Sequence, residues 1–391
     1  MSYAFSTENN IYCAGLSCKE IIKFNEPLEC WNVGKVTTMS GMFGGALFED
    51  GNQTFNRFNQ YIGSWDTSQV KNMDRMFFRA KKFNQPINEW DVGQVESMEL
   101  MFRSARSFNQ SVAGWDTSKS TNMVAMFRNA ENFNQPLDDW NVSQVDSMQR
   151  MFGNAEAFNQ CLSDLIYSCT VENNCPIYIC PTNVAILNCW NTTGITNMDL
   201  IFLYNQTDFN DPIECWDTSQ VTSMYGMFSY AYAFNQSINE WNIGKVTNMD
   251  KMFYETYNFN QPINDWDVSQ VQSMNSTFYE AYTFNQSLDL WNVSKVTSMD
   301  GMFANAAVFN SPVNSWNVLQ VDSMFAMFYN AAVFNQSIDL WNVSKVSSME
   351  DMFSDAAAFN NPVDSWNVSL VDSMSYMFDG AVAFNQCLSS W

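Results

Sequence analysis

Tryptophan recurs at positions 31, 65, 90, 115, 140, 190, 216, 241, 266, 291, 316, 341, 366 and 391, and most of the gaps are 25 residues. A fixed period of this length marks a chain built from stacked units, none of which can bury its apolar face alone. The gap from Trp140 to Trp190 is 50, with Leu165 at its midpoint, so the frame is expected to pass through one degenerate unit. The gap from Trp31 to Trp65 is 34, one unit plus a nine-residue insertion around LFEDGNQTF. Fourteen units follow from this count. The expected organisation is an N-terminal cap with a partial repeat (1–30), repeat coils (31–164, insertion near 47–57), a degenerate Cys-rich coil (165–189) and further coils (190–391). All would form one continuous solenoid, about 65–70 Å long at a rise of about 4.8 Å per coil.

With each Trp as position 0, the unit reads W-[ND]-[VT]-[SG]-x-V-x-x-M-x-x-M-F-x-x-A-x-x-F-N-Q-[PS]-[IL]. Every Met except Met1 falls at position 8 or 11, and 27 of the 32 Phe fall at 12 or 18, so these columns are the core. Positions 8, 11, 12 and 15 have the spacing of one helical face. Position 7 is Ser, Thr or Asn, as at Thr38, Asn72, Ser97, Ser223 and Ser298, where a helix would take its N-cap. Acidic residues at position 9, such as Asp74, Glu99, Asp250 and Asp300, would favour a helix N-terminus. The alternation Ile/Leu-x-x-Trp-x-Val predicts a short strand. The fold class expected is therefore an α/β repeat: a right-handed leucine-rich-repeat-like solenoid with one short strand and one short helix per coil.

The unit WNVSKVTSMDGMFANAAVFNSPV (291–313) resembles those of the BspA-like leucine-rich-repeat surface proteins, in particular the branch first described as a mycoplasma lipoprotein domain of unknown function. The elements W-[ND]-V-S, V-x-x-M-x-x-M-F-x-x-A and F-N-Q carry the resemblance over about residues 24–391, with 165–189 poorly matched. It implies a curved solenoid with a surface or adhesion role, and it brings no catalytic residues. The start MSYAFSTENNIYCAGLSC departs from the family in lacking a leader pattern.

The Asn after the second Phe (Asn59, Asn84, Asn109, Asn134, Asn159, Asn210, Asn235, Asn260 and onward to Asn385) is expected to form an amide ladder bonding turn backbone between coils. Twelve N-x-S/T sequons arise largely from repeat text; those in the ladder should be buried, and Asn52 in the insertion accessible. Six of the ten Cys surround the degenerate unit, which suggests disulfides replacing lost core, with Cys189 and Cys215 a candidate pair on adjacent coils. Free thiols are the alternative, and a zinc site is the weaker one because there is neither His nor C-x-x-C.

Charge is uneven. Residues 1–150 hold 14 basic and 17 acidic side chains (net −3), leaving 4 and 24 in 151–391 (net −20), for a total of −23. That balance disfavours nucleic acid and anionic membranes as partners. No run approaches the ~18 apolar residues of a membrane span. Positions −1 and 1 place Asp66, Glu89, Asp91, Asp116, Asp139, Asp217, Glu240, Asp265 and Asp267 on the predicted strand face, a candidate concave interaction surface. The same carboxylates could equally serve solubility. Arg75, Arg79, Lys81, Lys82, Arg103, Arg106 and Arg128 read as a solvated face.

With no His, no P-loop and no nucleophile elbow, no catalytic, cofactor or metal site is read, and the chain is expected not to be an enzyme. The function expected is a non-enzymatic recognition or adhesion scaffold at a cell surface or outside the cell, binding a protein or glycan. Alternatives are an acidic cation-binding or matrix-organising protein and an intracellular interaction scaffold. The repeat stops at Trp391 without a polar cap, so end-to-end self-association is a further expectation.

Overall fold

The computed structural model describes residues 24–45, 56–137, 139–158, 160, 163–164, 188–189, 192–204 and 209–391. Two compact units are formed, one of Met1–Ile195 with Asp211–Trp216, the other of Thr196–Asn210 with Asp217–Trp391. Each is a stack of coils whose interior is the predicted set of columns. Trp90, Met98, Met101, Phe102 and Phe108 are all at most 2% exposed, and their counterparts in the second unit are buried alike up to Trp366, while Met374, Phe378, Phe384 and Trp391 are half-buried. Within a coil the two Phe stack face to face, as in Phe77–Phe83 at 3.9 Å. Between coils like stacks on like: Phe77–Phe102 at 5.4 Å and Trp90–Trp115 at 6.5 Å. In most regular coils the indole N–H also donates down the stack to the carbonyl three residues before the preceding Trp; Trp90 Nε1 reaches Ile62 O at 3.0 Å.

The predicted helix is not there, nor is the strand at Trp. Among the described residues no α-helix occurs, and positions 8–15 are a chain of tight turns. The N–H groups of Met76, Phe78 and Ala80 bond three residues back, to Met73, Arg75 and Phe77. The intervening N–H groups of Met73, Arg75, Phe77 and Arg79 bond to the next coil, at Ser97, Glu99, Met101 and Arg103. Alternate peptides can face along the stack only if the backbone reverses hand at intervals. It does so at positions 10 and 14, as in Arg75 (φ 56°), Arg79 (φ 59°), Lys251 (φ 58°) and Glu255 (φ 52°). An α-helix would have turned the same N–H groups inward on itself and left the next coil without partners.

The Trp segment is likewise a turn, Trp65 N–H bonding Ile62 O at 3.2 Å. Parallel bridges fall instead on position 7, in the series Thr38–Asn72–Ser97–Asn122–Ser147 and again from Asn197 to Ser373. The position 7 side chains still accept the N–H two residues on, as Asn72 does from Asp74 at 3.0 Å, but they cap turns rather than helices. The position 9 carboxylates have a different task from the one expected. Asp74 accepts the Glu99 N–H of the next coil at 2.9 Å, and Asp250 accepts Asn275 N–H at 2.7 Å.

The asparagine ladder is present in both units. Asn84 N–H donates to Asn59 Oδ1 at 2.9 Å, Asn109 to Asn84 and Asn134 to Asn109; the same rung recurs from Asn235 on Asn210 to Asn385 on Asn360. The following Gln adds a second donor, Gln286 Nε2 reaching Asn260 Oδ1 at 3.0 Å. Asn109 is nevertheless exposed, so the ladder asparagines are not uniformly hidden. Asn260→Ala should remove the acceptor of the Asn285 N–H and one of the two acceptors of the Gln286 amide, costing about 0.5–1.5 kcal/mol, the net worth of a hydrogen bond at a partly exposed site. Asn260→Asp, which keeps the acceptor, should cost less. Urea midpoints of the two variants make the comparison.

The two interruptions leave the stack in different ways. Across the insertion, Phe43 and Phe58 stack at 3.9 Å, the spacing of an uninterrupted coil. At the degenerate unit, Ser163–Asp164 (β1) pairs antiparallel with Asn188–Cys189 (β2), Ser163 opposite Cys189. Parallel stacking was expected there. The antiparallel register sets Asp164 opposite Asn188. Gly194 then packs on the coil of Trp140: a methyl group at Gly194 would lie 2.9 Å from Ser143 O. Residues 165–187 themselves, and Asn52, lie outside the described residues.

Candidate functional site

The carboxylates singled out in the sequence lie on turns, not on a strand face. Those at position 1 are exposed or half-buried, and one oxygen of each is used locally. Asp66, Asp91, Asp116, Asp217 and Asp267 each accept the N–H two residues on, at 2.8–3.1 Å. Asn makes the same bond in other coils, Asn292 to Ser294 and Asn342 to Ser344 both at 3.2 Å. The column therefore selects a short side-chain acceptor that closes a turn, and charge is secondary. The Ser68 hydroxyl and then its N–H hold the Asp66 carboxyl below its ordinary value, and Ser118 and Ser269 act likewise on Asp116 and Asp267. Glu89, Asp139, Glu240 and Asp265 at position −1 are exposed. Among the described residues no three of these groups converge as a metal set. In later coils the same column carries exposed Leu290 and Leu340.

A second surface comes from positions 10, 13, 14 and 16, the outward side of the turn segment. In the first unit it is cationic but not simply solvated. Arg79 is only 7% exposed, its guanidinium lying 4.9 Å from the Phe78 ring centre, while that of Arg103 lies 5.5 Å from the same ring. Phe78 itself is buried, with Leu100 and Ala125 packed around it. Burial, then the charges of Arg128, Arg79, Arg150 and Arg75, push the Arg103 guanidinium down to about 10. Arg106 is paired with Glu131 at 3.1 Å.

In the second unit these positions carry tyrosines in two stacked columns. One begins at position 14 with Tyr204–Tyr230 (4.4 Å) and passes, through a tilted contact of Tyr230 with Tyr254 (5.3 Å), to Tyr254–Tyr279 at position 13 (4.6 Å); Tyr232–Tyr257 (4.3 Å) and Tyr257–Tyr282 (4.7 Å) form the other at position 16. Glu255 and Glu280 stand between the columns and accept the hydroxyls of Tyr257 (2.9 Å) and Tyr282 (2.6 Å). The Glu280 bond, followed by burial, pushes the Tyr282 hydroxyl up to about 12. Because the rings cover one another's faces, the surface presents mainly ring edges, hydroxyls and carboxylates. Sequence reasoning missed this surface; Tyr at positions 13, 14 and 16 of successive units was the available signal.

Cys215, one of the proposed pair, is disulfide-bonded, whereas Cys30 and Cys387 are free and exposed. No helix among the described residues is long and apolar enough to cross a membrane.

Stacked coils with varied outward columns define a tandem-repeat scaffold. The chain belongs to the Mycoplasma proteins of unknown function grouped as DUF285, which match residues 17–56, 47–165, 178–290 and 278–391. No curated protein matches it. Among solved structures, a leucine-rich cell surface protein from Faecalibacterium prausnitzii A2-165 is similar at 13% identity and TM-score 0.32, over 81% of this chain and 82% of that one. A TLR13–ssRNA13 complex is similar at 9% identity and TM-score 0.24, over 78% of this chain and 46% of that one, so the chain spans less than half its length.

Proposed function

We propose that the chain is a non-enzymatic recognition scaffold of a cell surface, binding a macromolecular partner through the outward columns at positions 10, 13, 14 and 16. One observation carries this reading. The columns that repeat along the chain are consumed internally: Trp, Met and Phe in the core, Asn in the ladder, Asp or Asn in turns. Those at 10, 13, 14 and 16 change from coil to coil and gather into an Arg–Phe surface and a Tyr–Glu surface. Rigid coils that hold variable side chains at a fixed pitch are how solenoids build extended binding faces. The oxidised Cys215 supports an extracellular setting, where disulfides persist. A disulfide between Cys189 and Cys215 remains part of the proposal.

Capture from a native surface extract tests the reading with two variants of the full chain. Serine at Arg103, Arg128, Tyr254 and Tyr279 should abolish retention of bound partners. Asn at Asp66, Asp116 and Asp267, where Asn already serves in other coils, should leave it unchanged. Loss of binding in the Asp set alone would transfer the function to the carboxylate row and overturn the assignment.

A further inference from the structure

The two surfaces just described occupy the same columns of the repeat, one in each unit, and they are opposite in chemistry. At position 13 the first unit has Arg103 and Arg128, one coil apart; at position 14 the second unit has Glu255 and Glu280, also one coil apart. Both spacings are set by the same coil rise, roughly 4.8 Å. A partner presenting guanidinium groups at that pitch therefore meets the two carboxylates in register, and a second copy of this chain presents such a row. We propose that the Arg–Phe surface of one copy docks on the Tyr–Glu surface of another, a heterologous side-by-side association; this rests on the reading above and names its partner.

The geometry on each side suits the other. Tyr257 and Tyr282 each donate to Oε2 of their Glu, which holds the carboxylate in place at the surface. A guanidinium fork needs such a fixed planar acceptor. On the other side, Arg103 already lies over an aromatic ring of its own chain, so its plane is held by Phe78. Ring edges and hydroxyls of the tyrosine columns would surround it in the complex. Coulombic repulsion among Arg75, Arg79, Arg103, Arg128 and Arg150 is relieved when a carboxylate row is brought against them. The chain's charge asymmetry points the same way, since residues 1–150 carry net −3 and 151–391 net −20. A heterologous contact repeats from copy to copy, so it generates a ring or an open row rather than a closed dimer.

The test is sedimentation velocity on the full chain at about 50 mM and about 500 mM salt, since exposed charge pairs weaken as the Debye length shortens. Wild type should associate at low salt and dissociate at high salt. The double variants Arg103→Glu/Arg128→Glu and Glu255→Arg/Glu280→Arg should each associate at least about tenfold more weakly, as loss of paired interfacial charges requires. Mixing the two variants should restore association, because each supplies the surface the other lacks; this complementation also shows that both are folded. A monomeric wild type, or variants that associate as wild type does, would overturn the proposal. If wild type is monomeric yet still captures surface partners through these columns, the scaffold reading stands and only the choice of partner falls. Binding of heparin by the Arg surface in place of self-association would likewise reject the second copy as occupant.

Discussion

Phe278→Ala is expected to destabilise the protein by about 3–5 kcal/mol, the usual cost of truncating a fully buried Phe. Phe278 is 0% exposed and stacks on Phe284 within its coil (4.1 Å), on Phe253 below (5.4 Å) and on Phe303 above (5.6 Å). Its removal opens a gap in a continuous column, where neighbouring rings are held by their own stacks and cannot collapse into the space. In a stack each coil touches only its neighbours, so the loss should be local. Hydrogen exchange should show amides of the coils around Trp266 and Trp291 losing protection well before those near Trp90. Uniform loss throughout the chain would show instead that the whole molecule unfolds as one cooperative unit.

Asp211→Asn should act in the opposite direction, raising stability by about 3 kcal/mol near neutral pH. The chain reads FNDPI at 209–213 where other coils read FNQPI, so Asp211 stands in the ladder-Gln column. That column supplies a donor elsewhere, Gln286 to Asn260 and Asn361 to Asn335, and an ionised carboxylate has none to give. Asp211 is 8% exposed, and burial pushes its carboxyl from 3.8 up to about 6. A carboxyl raised in the folded state binds more protons there than in the unfolded chain between those two values. Stability therefore falls as pH rises from about 4 to about 6, and the full cost persists above. The difference of about 2.2 units corresponds to ~3 kcal/mol. Asn removes the titration and restores a donor. Urea midpoints at about pH 8 and about pH 4 should show the gain shrinking toward the acid side; an equal gain at both would dissociate it from the ionisation of Asp211.

The core was fully legible because it depends on column identity alone. Met at 8 and 11, Phe at 12 and 18 and Trp at 0 are apolar in nearly every unit, so burial follows whatever the backbone does between them. The asparagine ladder was legible for a related reason: a polar side chain beside a core Phe, repeated at every level, has its own copy above and below as partner. The surface was harder. The position 1 carboxylates read as a binding row because Asp is charged; that they also close a turn, as Asn292 and Asn342 do in other coils, became visible only with the backbone in place. Arg79 reads as solvated in sequence but packs on Phe78, a residue that stands outside the two Phe columns and gave no periodic signal.

The period, the coil count to within the degenerate unit, the core columns and the ladder were all determined by the sequence alone, since each is a property of residues repeating in register. The conformation between positions 8 and 15 was decided only by the tertiary structure. Its apolar spacing fits a helix and a series of turns equally well. The left-handed residues at 10 and 14 are mostly not Gly, and each costs about 1–2 kcal/mol in isolation. They persist because they point alternate N–H groups at the carbonyls of the next coil, bonds that exist only once that coil is in place.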